Sequence, residues 1–366
     1  MQGRLARHLE QDVHHLSRSA VGNVMMCLKA ITSLSSRVAM PAWLAEPKPF
    51  PADEVLAATN GLLHLSSPIK GKPSFEPLTP RFFSANVLDY DIDTEATCPE
   101  WTAFLSSVWP SDAESIDTLQ EWFGYCLLPD TRHHKVLMLV GPRRSGKGTI
   151  GRVLASLVGS HNVCTPTLGS MAGPFGLWPL LDKTLAAIAD ARLSGRMAPV
   201  AVVERLLSIS GEDPQDVHRK NLPTLTGLRL PVRFILLTNE LPNLRDASDA
   251  SLSRVVLLQL TKSWLGREDK RLGEKLFDER SGILTWSIMG WRRFVERGYF
   301  VQPESGQELI DELESLTSPS PVSLATAAHS RAMAKRPWTI CFPPGKSGVV
   351  QITAPPSGRE KCLAGI

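Results

Sequence analysis

The sequence predicts an α/β fold in which a mostly parallel sheet carries helices on both faces. Four short, continuous apolar runs lie between residues 135 and 260, and helical stretches such as VAVVERLLSI separate them. Strands that are buried on both faces of a parallel sheet have this continuous apolar character. The four predicted strands are KVLMLV from Lys135, TLAAIA from Thr184, RFILLT from Arg233 and RVVLLQL from Arg254.

The composition is that of a globular protein, with 43% hydrophobic and 21% charged residues in a chain of 366. The formal net charge is only +3, so nucleic-acid binding would need a local basic cluster or a loop repeated by oligomerisation. The six cysteines form no C-x-x-C pair and no metal-ligand spacing, which predicts reduced, inert thiols. Because no apolar run approaches the roughly 18 residues that span a bilayer, we predict a cytoplasmic protein without a membrane partner.

Three regions are predicted along the chain. Residues 1–130 form a mixed, largely helical N-terminal region, in which Asp112 or Ser115 caps a helix. Residues 131–300 carry the parallel sheet. Residues 301–366 form a C-terminal extension that we expect to be partly disordered, because its later part is rich in Ser, Pro, Ala and Gly and lacks periodicity.

A glycine-rich loop, GPRRSGKGT at residues 141–149, follows the first predicted strand and precedes a predicted helix. In a loop of this kind, backbone N–H groups converge on phosphate oxygens, and the next helix presents its positive end. A lysine adds a charge near the β and γ phosphates. The motif predicts a P-loop that binds ATP through Gly141, Ser145, Gly146, Lys147, Gly148 and Thr149.

One position departs from the strict pattern. Gly148 follows Lys147, where the pattern has the Ser or Thr that is a ligand to Mg²⁺. Two alternatives stay open: Thr149 supplies the hydroxyl, or Asp190, at the end of the second predicted strand, holds the metal together with water. A carboxylate at a strand end suits either arrangement, so Thr149 and Asp190 are the predicted metal ligands.

Two further polar residues flank the third and fourth predicted strands. Asn239 ends the third, in LLTNELP, where an amide can orient the attacking water or contact the γ-phosphate. Arg254 begins the fourth and can stabilise the transferring phosphoryl group of a neighbouring subunit. The alternatives are ordinary turn chemistry for Asn239 and a surface ion pair for Arg254.

A basic cluster lies between the second and third strands. His218, Arg219 and Lys220 are adjacent within GEDPQDVHRKNLPTLTG, a polar stretch bounded by Gly and Pro. A loop or hairpin that carries these residues can bind the phosphate backbone of DNA, although a solvated surface is the alternative.

The order of these motifs resembles the helicase half of phage and plasmid primase-helicases, in superfamily 3. The resemblance covers roughly residues 20–315. It includes NGLLHL, CPEWTAFL and LQEWFGYCL, which resemble the helicase-associated region that precedes such a domain. The segments that mainly support the resemblance are GPRRSGKGT at 141–149, AAIADARLSG at 186–195, LLSISGEDPQDVHRK at 206–220, ILLTNELP at 235–242 and SLSRVVLLQL at 251–260.

The resemblance implies an AAA+-like ATPase that forms a homo-hexamer and translocates on single-stranded DNA, with ATP and Mg²⁺ as cofactors. It assigns Lys147 to the phosphates, Asp190 to the metal, Asn239 to sensing the γ-phosphate and Arg254 to an arginine finger. It also assigns residues 218–220 to a pore hairpin. Because no primase active site is visible, a separate primase or host replication proteins are the expected partners.

Two other functions stay open at this stage. The GKGT sequence also fits a nucleotide kinase, but such an enzyme needs an arginine-rich lid, and the sequence contains no convincing one. The second alternative is a catalytically inactive relic that binds DNA or replication proteins. Gly148 and a tail that departs from the relatives both favour this alternative.

Overall fold

The computed structural model describes residues 17–35, 38, 40–66, 74–84, 86–189, 199–240 and 253–317. The chain divides into one compact unit at residues 1–318 and a second at residues 319–366, and the second lies outside the described residues. The first part of the predicted C-terminal extension forms a helix. The predicted division at residues 130 and 300 stays a prediction.

The N-terminal part of the described chain mixes helices with short antiparallel strands. The strands form one three-stranded sheet, β2-β3-β4, and one two-stranded pair, β1-β5. Asp112 caps the third helix by accepting a hydrogen bond from the Ser115 backbone N–H at 2.9 Å. The elements are α1 (Arg18–Thr32), β1 (Ala42–Trp43), β2 (Val55–Ala58), β3 (Gly61–His64), β4 (Ser74–Glu76), β5 (Phe82–Phe83), α2 (Pro99–Val108) and α3 (Ala113–Tyr125).

The rest of the compact unit alternates strands and helices. All four predicted strands are present, and β7, which is only two residues long, was not predicted. The elements are β6 (Val136–Val140), α4 (Lys147–Leu157), β7 (Val163–Cys164), α5 (Leu168–Ala172), β8 (Leu185–Ala189), α6 (Pro199–Ser210), β9 (Gln215–Arg219), β10 (Leu222–Leu228), β11 (Arg233–Thr238), β12 (Val255–Gln259), α7 (Leu272–Asp278), α8 (Arg280–Arg297) and α9 (Glu304–Thr317).

Five strands form one parallel sheet in the order β12-β6-β11-β8-β7, which confirms the predicted α/β fold. The first strand in sequence, β6, therefore lies inside the sheet between β12 and β11. Because all five strands are parallel, their carboxyl ends meet at one edge, which we call the carboxyl edge. The opposite edge, where the strands begin, is the amino edge.

Both faces of this sheet are buried, as the continuous apolar runs predicted. Along β6, Leu137 and Leu139 join one hydrophobic cluster, which includes residues of α2, α3, α4 and α8. Val136, Met138 and Val140 join a second cluster, which includes residues of α5, α6 and α9. The side chains thus alternate between two cores with the period of a strand. The two cores hold the strands in place, and the predicted functional residues lie at the ends of these strands, at the carboxyl and amino edges.

No helix within the described ranges is long and apolar enough to cross a membrane.

Candidate functional site

The loop at residues 141–149 leaves the carboxyl end of β6 and passes very close to β12. The Leu260 N–H donates to the Val140 carbonyl at 2.7 Å, and a β-carbon built at Gly141 would lie 2.2 Å from the Leu260 carbonyl oxygen. No real β-carbon fits at that distance. Gly141 is therefore required by tertiary packing, in addition to any role with phosphate.

Two backbone conformations turn the loop into α4. Arg144 has φ of 59° and Gly146 has φ of 102°, and both values lie in the left-handed region that favours glycine. The turn buries Ser145, which is 1% exposed, and starts α4 at Lys147. The segment after β12 holds the loop from outside: the Trp264 N–H donates to the Arg144 carbonyl at 3.0 Å, and Ser263 Oγ donates to the Arg143 carbonyl at 2.8 Å.

Lys147 is buried and has only neutral partners in the described part of the chain. Its side-chain ammonium donates to the carbonyl oxygens of Gly141 (2.5 Å) and Pro142 (2.7 Å), and to Ser145 Oγ (3.2 Å). Burial disfavours the charged form and lowers the pKa of Lys147. A buried cation at a helix N-terminus, without a carboxylate partner, is electrostatically suited to receive an anion.

Gly148, where the strict P-loop pattern has a metal-ligand hydroxyl, has an arginine as its neighbour. A β-carbon built at Gly148 would meet only the end of a flexible side chain, Arg152 Nη1, at 3.3 Å. Arg152 Nη2 also donates to Thr149 Oγ1 at 3.2 Å. The guanidinium therefore lies where a hydroxyl side chain at residue 148 would project, and it engages the hydroxyl of Thr149.

Asn239 lies at the same edge as the loop. The Gly141 N–H donates to the carbonyl of Thr238, the residue before Asn239, at 3.2 Å. Asn239 itself is half-buried. The predicted Asp190 directly follows Ala189, whose partner in β11 is Leu237, but Asp190 lies outside the described residues.

Arg254 lies at the amino edge, away from the loop of its own chain. Its carbonyl accepts a hydrogen bond from Val136, the first residue of β6, and its Nη1 donates to the Leu207 carbonyl at 2.6 Å. A strand rises about 3.3 Å per residue, so the length of β6 separates Arg254 from the loop by roughly 16 Å. The structure thus does not bring Arg254 together with Lys147 within one chain.

The basic cluster forms a β-hairpin, one of the two forms predicted for it. The register pairs Leu222 with Arg219, so Lys220 and Asn221 form the turn, and Asn221 has φ of 59°. His218 and Lys220 are exposed, whereas Arg219 is half-buried and donates through Nε and Nη2 to the Pro223 carbonyl at 3.1 and 2.7 Å. Because β10 leads into the start of β11, the hairpin projects from the amino edge.

The sequence did not predict a cavity of about 470 Å³ beside the loop. Its walls come from α2, from the loop and α4, and from residues 264–272. No spacing or motif in the sequence connects these segments, since α2 and Trp264 are far apart in the chain. Only the folded chain reveals this site.

Comparison with known proteins supports the fold but says little about function. A family described as "Family of unknown function (DUF5906)" matches residues 139–254, which include the loop and the hairpin. An uncharacterized mitochondrial protein, ymf21 of Marchantia polymorpha, is 33% identical over 79 residues, which cover 22% of this chain. The match spans 44% of that relative, less than half of its length.

Solved structures of the NrS-1 C-terminal region share the architecture. An apo structure of residues 305–718 of that protein aligns with a TM-score of 0.52 at 14% identity, and it covers 86% of this chain and 70% of that chain. The A form of the apo C-terminal region aligns with a TM-score of 0.50 at 13% identity and the same coverage. At such identities the likeness shows a common fold alone.

Proposed function

We propose that the chain is a DNA-dependent ATPase of the superfamily 3 helicase type, which translocates on single-stranded DNA during replication of a phage, plasmid or other mobile element. One observation carries this proposal. Lys147 is buried at the N-terminus of α4, at the carboxyl edge of a parallel sheet, and its partners among the described residues are all neutral. Ligands bind at this edge in open α/β sheets, and a helix N-terminus favours phosphate.

The loop at 141–149 binds the triphosphate of ATP in this proposal. Its backbone N–H groups contact the phosphate oxygens, and the Lys147 ammonium exchanges the Gly141 and Pro142 carbonyls for the β and γ phosphates. Mg²⁺, when bound, neutralises charge on the phosphates, with Thr149 and Asp190 as its proposed protein ligands. Asn239 orients the attacking water, which is consistent with its place next to the loop.

The amino edge supplies the contacts with other molecules. Because Arg254 lies too far from its own loop, we place it against the nucleotide of the next subunit in a homo-hexamer, after it leaves the Leu207 carbonyl. His218, Arg219 and Lys220 bind the DNA backbone. Six copies of the hairpin in a ring would compensate for the small net charge of one chain.

Gly148 favours a second candidate, a protein that binds ATP and DNA without hydrolysing ATP. Arg152 Nη1 lies 3.3 Å from where the β-carbon of the usual metal-ligand residue would be, and Arg152 Nη2 engages the Thr149 hydroxyl, which favours phosphate binding without metal-dependent turnover. ATP binding without hydrolysis would select this candidate. Phosphoryl transfer to a nucleoside monophosphate would instead select a nucleotide kinase.

The test is ATP hydrolysis with and without single-stranded DNA. The proteins are the full chain, Lys147→Ala and a control, Lys29→Ala, whose lysine is exposed on α1. We expect DNA to stimulate ATP hydrolysis by the full chain and by the control. We expect Lys147→Ala to lose ATP hydrolysis. Hydrolysis that persists in Lys147→Ala would contradict the proposal. Sedimentation velocity with ATP and DNA tests the hexamer, and a monomer under these conditions would contradict the ring.

A further inference from the structure

The cavity shares lining residues with the loop that forms the proposed phosphate site. Gly146 and Thr149 belong to the 141–149 loop and also line the cavity. Arg152, which donates to Thr149 Oγ1, lines the cavity as well. One ligand can therefore place an anionic end in the loop and its remaining part in the cavity.

The cavity has walls that suit a flat ring. Phe104, from α2, lies so close to the loop that its ring would be 3.0 Å from a β-carbon at Gly146. Trp264 lines the cavity too, and its backbone is fixed to the loop through the Arg144 carbonyl. Aromatic side chains bind planar groups by stacking and by burying apolar area, and tryptophan offers the largest ring for this.

The charges around the cavity leave two arginines available. Glu268 pairs with Arg144 at 3.4 Å, and Lys275 pairs with Asp269 at 3.1 Å and with Glu100 at 3.7 Å. Each acidic group of the lining thus has a cationic partner, and Asp269 and Glu100 share Lys275. Arg152 and Arg267 also line the cavity, and neither forms an ion pair within the ranges that the structure describes. A ligand with a planar ring and an anionic end matches both properties.

We propose that this cavity holds the base and ribose of the nucleotide whose phosphates bind at residues 141–149. Trp264 stacks on the base, and Arg152 contacts the ligand where the cavity meets the loop. The volume of about 470 Å³ lies within the range of roughly 300–1,000 Å³ that is usual for small-molecule sites. This inference rests on the proposed function, since it assumes that the loop binds phosphates.

The experiment compares two probes, ATP and inorganic tripolyphosphate, by isothermal titration calorimetry on the full chain. Tripolyphosphate has the phosphates but lacks the base and ribose. Stacking on an aromatic side chain is worth about 1–3 kcal/mol per base, so Trp264→Ala should weaken ATP binding about tenfold or more. Its affinity for tripolyphosphate should not change. Trp264→Phe keeps an aromatic ring and should recover most of the ATP affinity.

A second pair of variants tests the cavity without removing a packed side chain. Ala103 is exposed on α2 and lines the cavity, whereas Ser106 is exposed on the same helix and does not line it. Ala103→Trp should fill the cavity and weaken ATP binding about tenfold, an effect of the size expected for loss of base stacking. Ser106→Trp is the matched control and should bind ATP normally. Both variants should bind tripolyphosphate like the unmodified chain.

The outcomes separate this inference from the proposed function. Selective loss of ATP affinity in Trp264→Ala and Ala103→Trp supports the inference. If the two variants lose affinity for ATP and tripolyphosphate equally, or for neither, the inference is overturned. It is also overturned if the unmodified chain binds ATP no more tightly than tripolyphosphate. If the unmodified chain binds neither probe, the proposed phosphate site fails and the inference fails with it. Lys147→Ala should weaken both probes alike.

Discussion

The two edges of the parallel sheet are built in opposite ways. At the carboxyl edge, the 141–149 loop is held by backbone hydrogen bonds to two other segments, and Ser145 and Lys147 are only 1% and 8% exposed. At the amino edge, the β9–β10 hairpin projects outward, and His218 and Lys220 are exposed. The first edge is shaped by main chain and packing, whereas the second presents side chains to solvent.

This difference indicates how each edge tolerates change. A substitution at the carboxyl edge affects backbone geometry or a buried charge, so the fold, the ligand affinity or both respond. A substitution at the hairpin tip changes a side chain with little structural work to do, so only contact with a partner responds.

Lys147→Ala should have the largest effect, a loss of ATP hydrolysis of about 100-fold or more, because a charge that stabilises the transferring phosphoryl group is removed. The stability of the fold should not fall, since the substitution removes a buried cation whose desolvation is costly. Steady-state hydrolysis and thermal unfolding measure the two effects. If Lys147→Ala were unfolded at room temperature, this prediction would be contradicted, because Lys147 would then be needed to hold the loop together.

Gly141→Ala should destabilise the fold by about 1–3 kcal/mol, because its β-carbon collides with the Leu260 backbone, which cannot move like a side chain. Gly273→Ala is the matched control, since nothing lies within 4 Å of a β-carbon there and the residue is in α7. Alanine should stabilise that helix by roughly 0.5–1 kcal/mol. Urea unfolding compares the two, and effects of the same sign would contradict the packing argument.

The double variant Arg219→Ala and Lys220→Ala should weaken binding to single-stranded DNA about tenfold at low salt. It should also reduce the slope of log affinity against log salt by roughly 1–2, because up to two phosphate contacts are lost. Stability should fall by no more than about 1.5 kcal/mol, because the lost contacts are the Arg219 hydrogen bonds to the Pro223 carbonyl. Fluorescence anisotropy at several salt concentrations measures the slope. The double variant Lys29→Ala and Lys48→Ala, in which two exposed lysines are removed, is the control.

Gly148→Ser should have the smallest effect on the fold, within about 0.5 kcal/mol, because only the movable end of Arg152 approaches the new side chain. It places a hydroxyl where the strict P-loop pattern has its metal ligand, so we expect ATP affinity to become more dependent on Mg²⁺. Calorimetry with Mg²⁺ and with EDTA tests this. Gly151→Ser is a matched control that faces Leu237 at 3.1 Å inside the core, and it should destabilise the fold more.

Much of the carboxyl edge could be predicted from local sequence. Lys147 follows a strand and begins a helix, and both neighbours are visible as apolar periodicity over a few residues. Asn239 was placed at a strand end for the same reason, and Asp112 was one of two candidate helix caps. Arg254 was placed at the start of a predicted parallel strand, which puts it at the amino edge, but its contact with the Leu207 carbonyl depends on the tertiary structure. The two-residue strand β7 was too short to give a periodic signal.

The sequence by itself determined the four main strands, the loop and the basic cluster, because strand burial and turn chemistry depend on residues close together in the chain. Only the tertiary structure decided the order β12-β6-β11-β8-β7, the requirement for glycine at residue 141 and the cavity between Phe104 and Trp264. Each of these depends on segments that are far apart in sequence. They meet only because two hydrophobic cores hold helices against both faces of one sheet.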